Sequence, residues 1–275
     1  MKNIVVIHHN DLDGFGAAWA AWKKLGNRAR YLAMDYAMSA PKGLKNKEIY
    51  FLDFCYPLAV MKKIRKEAKS ITIIDHHISN KPVLKIADNF SYNINNSSAV
   101  LAWKYFNLRK SIPKLLLYIE DGDIWRFKIP FTKELTAFLG ISDLKFSLWN
   151  KIAADLENFK KRKLYIEKGQ IILRYEEITI KGLVDYAIKV KFSGYDALAV
   201  NSSILHSEIG HALIKKNTPI SIVWQQQNNK NVFHLRSNGR IDVSKVAEKY
   251  GGGGHKAASG FELDINKPMP WKYLK

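Results

Sequence analysis

Ser70-Ile71-Thr72-Ile73-Ile74-Asp75-His76-His77 is a β-branched run that stops abruptly in a carboxylate and two imidazoles. The run reads as a short buried strand, because branched side chains suit an extended backbone. An Asp and two His in consecutive positions are costly to bury without partners, so a divalent metal or an anionic substrate is the natural explanation. Surface polar residues at a strand end are the plainer reading, and a single His would favour it. The same form recurs twice upstream, which favours the first. Ile4 to Ile7 is followed by His8-His9-Asn10-Asp11-Leu12-Asp13-Gly14 and an Ala-rich helix from about Phe15 to Leu25. Glu48-Ile49-Tyr50-Phe51-Leu52-Asp53 repeats it after a Lys-rich loop, with Pro57 opening a basic helix through Lys69.

Strands separated by helices imply an α/β fold with a parallel sheet and right-handed crossovers, so the three polar ends fall on one carboxyl edge. Ligands bind at that edge in open α/β sheets. Asp11, Asp13, Asp53, Asp75, His76 and His77 are therefore expected to converge. Converging carboxylates repel, and without cations some would have to be protonated. Divalent ions resolve this, and a mixed oxygen and imidazole set suits Mn²⁺, with Mg²⁺, Fe²⁺ or Co²⁺ possible, better than a thiolate-rich zinc site. Two ions roughly 3.5–4 Å apart would hold a bridging hydroxide and clamp a phosphoryl group, which favours hydrolysis of a phosphate ester or anhydride. A fourth acidic cluster, Glu120-Asp121-Gly122-Asp123, follows helical segments at Ser98 to Phe106 and Lys114 to Ile119. An Asp-Gly-Asp stretch of this kind is by itself often only a turn.

With 275 residues, 47% of them hydrophobic, the chain can bury a full core over one large or two ordinary domains. The formal net charge of +19 fits a polyanionic partner, although a lysine-rich genome would also produce it. The one cysteine, Cys55, excludes an intramolecular disulfide and a cysteine-cluster zinc site, and suits a reducing compartment. The apolar run before His8 is too short for a signal peptide, and nothing approaches the ~20 apolar residues of a membrane span. A cytoplasmic protein with no membrane attachment is expected.

His9-Asn10-Asp11-Leu12-Asp13-Gly14, Asp53 and Asp75-His76-His77, in that order and at those strand ends, resemble the DHH phosphoesterase superfamily. The wording of the first motif and the late glycine-rich motif are similar to the nanoRNases, or oligoribonucleases, with RecJ-type exonucleases as wider relatives. The resemblance implies that Asp11 binds one manganese, Asp13 the other, and Asp53 bridges them, with His9 at the first site and His76 and Asp121 completing the second. It implies that His77 contacts the scissile phosphate and that Asp75 orients the histidines from behind. In the pyrophosphatase branch the first metal-binding His lies four positions before the first Asp, which here is Ile7. Strand-like alternation would put His9, and not His8, on the side of Asp11 and Asp13.

From about Asp143 to Gly182 the chain is charged and helical in period, with Leu148, Ile152, Leu156, Phe159, Leu164, Ile171 and Ile172 as buried positions. Its Lys160-Lys161-Arg162-Lys163 is a solvated helix face or a guide for a polyanion. Beyond it, strands at Ala197 to Val200, Ile220 to Trp224 and Val232 to Arg236 accompany helices at Ser203 to Lys216 and Ile241 to Tyr250. His206 and His211 read as ordinary helix residues. Gly251-Gly252-Gly253-Gly254-His255-Lys256 then offers a nest of backbone N–H groups beside two basic side chains, an expected anion grip, where a flexible loop is the plainer reading. With Arg236-Ser237 this segment resembles the DHHA1 domain that accompanies the DHH domain. The resemblance implies that Arg236, Ser237, Gly252, Gly253, Gly254 and His255 hold the nucleotide.

The expected organisation is a parallel-sheet DHH domain over 1–142, a helical connector over 143–185 and a smaller α/β DHHA1 domain over 186–275, with the active site in the cleft between the domains. The resemblance implies a manganese-dependent phosphodiesterase trimming short single-stranded RNA or dinucleotides from the 3′ end to mononucleotides. Cyclic dinucleotides, 3′-phosphoadenosine 5′-phosphate and a non-catalytic RNA-binding role are the alternatives, and a homodimer is among the open oligomeric states. Carboxylates at a binding face repel phosphate unless metals are present, which argues against the non-catalytic role. Trp125 and Phe127 could stack on a base, or lie in the core.

Overall fold

The structure, a computed structural model, describes residues 2–35 and 38–274. These form two compact units, Met1–Leu173 and Arg174–Lys275. Among the described residues no helix is long and apolar enough to cross a membrane.

The first unit is built on a five-stranded sheet, β1 (Ile4–His9), β2 (Ala29–Met34), β3 (Glu48–Leu52), β4 (Ser70–Asp75) and β5 (Asn89–Tyr92), in the order β2-β1-β3-β4-β5. Every pair is parallel. The period-two alternation of side chains divides each strand between two cores. Val6, Tyr50, Leu52 and Ile74 face helices α1 (Leu12–Leu25), α3 (Ser98–Phe106) and α4 (Lys114–Asp123), while Val5, Ile7, Ile49, Phe51, Ile71 and Ile73 share the opposite face with Met61 and Ile64 of α2 (Leu58–Glu67). Each fully buried side chain of this size contributes about 1.5–3 kcal/mol against exposure. Helix α5 (Thr132–Gly140) and α6 (Phe146–Glu157) extend the first core, where Phe15 lies edge-on to Trp149 and stacks on Phe146.

The edge strands β2 and β5, helix α5 and four of the seven strands of the second unit do not stand out in the sequence. Strand β5, Asn89-Phe90-Ser91-Tyr92, is short and half polar, as edge strands are. The helical period from Asp143 resolves into α6 and the long α7 (Phe159–Asp185), and the division between units falls within α7. Phe159, Leu164 and Ile171, expected to be buried, are exposed on α7. Lys161 of the basic run is tied to Asp155 at 2.6 Å.

The second unit is a seven-stranded sheet in the order β10-β11-β9-β8-β7-β6-β12. Its strands are β6 (Ile188–Phe192), β7 (Tyr195–Asn201), β8 (Ile220–Gln227), β9 (Lys230–Ser237), β10 (Gly253–His255), β11 (Ala258–Asp264) and β12 (Trp271–Tyr273), with helices α8 (His206–Ile214) and α9 (Val243–Glu248). Only β7 and β8 run parallel; the other pairs are antiparallel. Ile220, Ile222, Phe233 and Leu235 pack with Val243 and Val246 of α9, whereas Val223 and Val200 pack with Ile209 and Leu213 of α8.

The His206 ring at the start of α8 stacks on His234 of β9, with centroids 4.1 Å apart. Burial, then the positive field of His206 and Arg236, lowers His234 from 6.5 to about 4. Between those values the unfolded chain binds the proton that the folded chain refuses, so stability present above pH 6.5 is lost as pH falls toward 4, by at most about 3 kcal/mol. Thermal melts of the full chain at about pH 7 and about pH 4.5 check this. His234→Phe, which keeps a flat ring without the titration, should lose distinctly less stability on acidification than the parent.

Candidate metal centre

Strands β1, β3 and β4 deliver their ends to one edge of the parallel sheet, and each end is polar for a local reason. After His9 the chain leaves the strand, and Asp11 becomes the N-cap of α1: its Oδ1 accepts the Gly14 N–H at 2.8 Å. Gly14 is required here, because a Cβ at that position would lie 2.3 Å from the His9 carbonyl oxygen. The alternation expected to carry His9, Asp11 and Asp13 along one strand face therefore stops at His9, and the helix turn brings the two aspartates round instead. Asp53 follows β3 in the left-handed conformation, φ 58°, which Asp tolerates better than most residues, while its N–H extends the ladder to the Ile74 carbonyl at 2.9 Å.

These turns gather three sets of ligand atoms, each within 4.8 Å of one another: His9, Asp11 and Asp53; Asp53, His76 and His77; and Asp13, His76 and Asp123. His9 Nδ1–H donates to Asp11 Oδ2 at 2.7 Å and stands 3.8 Å from Asp53 Oδ2. His76 Nε2 lies 3.5 Å from both Asp53 Oδ1 and Asp123 Oδ2, and 3.8 Å from Asp13 Oδ2. His8 is outside the set. Its ring is buried edge-on to Phe15, donates Nδ1–H to the His9 carbonyl at 2.8 Å, and is held near 4 mainly by desolvation.

Asp75 is fully buried and acts behind the histidines. Its Oδ1 accepts from the His76 N–H, the His77 N–H and His77 Nδ1–H at 2.6, 2.8 and 2.9 Å, and its Oδ2 accepts from Asn80 Nδ2 at 2.7 Å. Burial would raise it, but these donors bring Asp75 below the usual carboxylate range. The His77 ring is thereby fixed with Nδ1 toward Asp75. Although burial opposes it, the same carboxylate raises His77 above its ordinary value. Asp13 receives the Ser98 and Ala99 N–H groups at 2.8 and 2.9 Å, from the positive end of α3. Asp53 receives only the Ser98 hydroxyl, at 2.9 Å, among the described hydrogen bonds. Burial, then Asp13 and Asp11, pushes it well above the ordinary carboxylate range, and Asp123 is raised by burial, Asp13, Asp11 and Glu120.

Asp121 does not join them. It sits in the last turn of α4, and its carboxylate turns the other way: Oδ1 accepts the Lys128 N–H at 2.9 Å, and Oδ2 accepts the Ile129 N–H at 2.9 Å and the Thr132 hydroxyl at 2.6 Å. The residue that stands with Asp13 and His76 is Asp123. The helix running on to Asp123, beyond the expected end at Ile119, sets which acid faces the centre. Ser98 and Asn80 were also not singled out in the sequence; the Asn95-Asn96-Ser97-Ser98 cap was the available signal.

The second unit places its expected residues as follows. Arg236 Nη2 donates to Ser207 Oγ at 2.6 Å and Nη1 to the Leu235 carbonyl at 2.9 Å; Ser237 Oγ donates to the Ile241 carbonyl at 2.7 Å. The glycine run is not an open loop. The N–H groups of Gly251 and Gly252 close the end of α9 on the Glu248 and Ala247 carbonyls, both at 3.0 Å, so neither contributes to the expected nest. Gly253, Gly254 and His255 form β10 against Gly260, Ser259 and Ala258. A Cβ on Gly252 would lie 2.0 Å from the Gly260 oxygen, so close sheet contact accounts for that glycine.

The donor set fits hard or borderline divalent ions: carboxylates with imidazoles, no thiolate, and a buried Asp53 shared by two sets, whose charge a cation would offset. Calorimetric titration of Mn²⁺ into the full chain should show Asp123→Asn weakening the tighter or the looser site at least about tenfold, while His8→Gln leaves both. Equal affinities for Asp123→Asn and parent would remove Asp123 from the centre.

The DHHA1 domain family matches residues 189–267. The uncharacterised protein R106 of Acanthamoeba polyphaga mimivirus is 28% identical over 287 residues; the alignment covers 94% of this chain, which spans 66% of that protein's length. The structure is similar to the DHH domain of a member of a family of ribosomal proteins, with a TM-score of 0.62 at 12% identity, covering 94% of this chain and 82% of that one. It is also similar to an exopolyphosphatase-related protein from Bacteroides fragilis, TM-score 0.54 at 16% identity over 98% and 88% of the two chains. Exonuclease RecJ, in a structure bound to manganese, gives 0.52 at 14% identity over 95% and 86%. A parallel sheet ending in Asp11, Asp53 and Asp75-His76-His77, followed by a segment that matches the DHHA1 domain family, gives this chain a fold similar to that of the DHH domain and of RecJ.

Proposed function

We propose that the chain is a manganese-dependent phosphodiesterase that hydrolyses short single-stranded oligoribonucleotides from the 3′ end to nucleoside monophosphates. The observation that carries this reading is Asp53, a buried carboxylate common to two ligand sets at the carboxyl edge of a parallel sheet. In this proposal His9, Asp11 and Asp53 hold one ion, and Asp53, Asp13, His76 and Asp123 hold the other, Asp123 taking the place expected for Asp121. When bound, such a pair supplies a nucleophilic water at neutral pH and neutralises charge on the phosphoryl oxygens.

The chain's own residues then do the following. Asp75 fixes the His77 ring, whose raised proton affinity suits it to face a non-bridging oxygen of the scissile phosphate. The amides at the start of α3 donate to Asp13 and favour its ionised form, while burial and the repulsion of Asp11 still raise it above its ordinary range. On the second unit, Arg236, Ser237, Gly253, Gly254 and His255 are proposed to bind the nucleotide, Gly252 serving the close contact with β11 instead. Arg236 is buried enough to be lowered from its usual value and keeps donors suited to phosphate.

A time course with 5′-labelled RNAs from two to about twenty nucleotides, alongside cyclic dinucleotides and 3′-phosphoadenosine 5′-phosphate, each with Mn²⁺ or chelator, tests the reading. Metal-dependent loss of only the shortest RNAs is expected. Opening of cyclic dinucleotides alone would move the same centre to another substrate, and tight RNA binding without turnover would leave a binding protein. Asp53→Ala should lower kcat by at least about 10³-fold, since both ligand sets lose a member; near-parental turnover would remove Asp53 from its shared position.

A further inference from the structure

The segment after Asp123 holds three aromatic residues at positive φ: Trp125 at 58°, Phe127 at 49° and Phe131 at 70°. Bulky side chains rarely adopt this region, and such strain persists only where surrounding groups impose it. Asp121 ties down the segment between these residues, and the Trp125 N–H is held by the Gly122 carbonyl at 3.0 Å. The Asp121 carbonyl accepts the Arg126 and Phe127 N–H groups at 2.9 and 3.1 Å, and its carboxylate accepts those of Lys128 and Ile129 and the Thr132 hydroxyl. The Asp121 side chain is thus wrapped by its own loop.

What the loop presents is a ring. Trp125 is 45% exposed, which sets aside the core as its place, and it meets Phe127 edge to face at 4.9 Å. Phe127 in turn carries the Lys133 ammonium 5.2 Å from its centroid. Arg126 and Lys128 are exposed on the same loop. Trp125 follows Asp123 by two residues, which limits their Cα separation to about 7 Å. An aromatic face that close to a phosphoryl-binding centre, rimmed by cations, matches the base of a nucleotide whose phosphate sits at the metals.

We propose that Trp125 is a stacking platform for a nucleobase of the substrate, and that Asp121 is the positioning residue that builds it. This rests on the phosphodiesterase reading above and adds to it a site for the base. It gives Asp121 a role in the loop and none at the metals.

The test uses the full chain with Mg²⁺ and two probes, adenosine 5′-monophosphate and ribose 5-phosphate, read by indole fluorescence. The first probe should quench the parent and the second should not, and Trp125→Phe should lose the adenosine-dependent quench. With Mn²⁺, a diadenylate and the same compound lacking one base are compared. Trp125→Ala should raise KM for the diadenylate about 10- to 100-fold, the loss of one stacked base, so that the advantage over the abasic compound collapses; Trp125→Phe should restore much of it. Asp121→Asn should reproduce the KM effect with parental Mn²⁺ affinity, and Thr132→Val, which removes one donor to the same carboxylate, should do so more mildly if Asp121→Asn does not fold. Absence of turnover with the quench intact would defeat the phosphodiesterase reading and leave the platform. Turnover with no base dependence in Trp125→Ala would overturn the platform, and weakened Mn²⁺ binding in Asp121→Asn would overturn the role given to Asp121.

Discussion

Repulsion among carboxylates at one sheet edge is the constraint around which the first unit is arranged. Asp13, Asp53 and Asp75 are all buried, with Asp11 and Asp123 beside them, and each is treated differently. Asp75 is fully engaged by N–H donors from the histidine pair and Asn80. Asp13 is set at the positive end of α3. Asp53 has the Ser98 hydroxyl and imidazoles at 3.5–3.8 Å, which is poor compensation for a desolvated charge. The fold thus satisfies Asp75, which orients the histidines, and leaves under-satisfied Asp53, the carboxylate shared by two ligand sets. Folding alone does not remove that deficit; a bound cation would, and a ligand that binds only the folded state at a hundred times its Kd adds about 2.7 kcal/mol of stability.

Topology makes this arrangement possible. A parallel sheet with helical crossovers brings strand ends together that are far apart in the chain, and the β2-β1-β3-β4-β5 order puts the three acid-bearing ends side by side. Helix starts supply the rest: Asp11 and Asp13 belong to the first turn of α1, and Ser98 opens α3. The ends of β1 and α1 approach so closely that only glycine fits at position 14.

Much of this could be read from the chain. Apolar β-branched runs ending in acid are a strong periodic signal, so β1, β3 and β4 and the convergence of their ends were legible. Edge strands were not: Asn89-Phe90-Ser91-Tyr92 pairs with β4 through backbone groups that any sequence possesses. The choice between Asp121 and Asp123 was also beyond the sequence, because two positions on an α-helix are separated by about 200° and a motif does not say which faces the centre. The glycine run misled in a related way. Its composition suits an anion nest, but two of its N–H groups close α9, and β11 leaves no room for a Cβ at Gly252 or Gly254. Both cases share a cause: a residue type that suits a ligand also suits a helix end, and only the paired partner separates the two.

The acidic helix end of α4 shows how one short segment can carry two tasks. Asp123 is raised by burial, Asp13, Asp11 and Glu120 and belongs to a set of groups that repel one another without a cation. Asp121, on the other face of the same turn, is lowered and saturated with donors. Gly122 between them leaves room for the Thr136 methyl of α5, which would stand 3.0 Å from a Cβ at that position, so α5 packs closely on the helix end. That packing converts two chemically identical side chains into one that is available to an ion and one that is consumed by the backbone. Environment, and not residue type, divides the labour, as it does wherever neighbouring carboxyls of one protein hold opposite charge states.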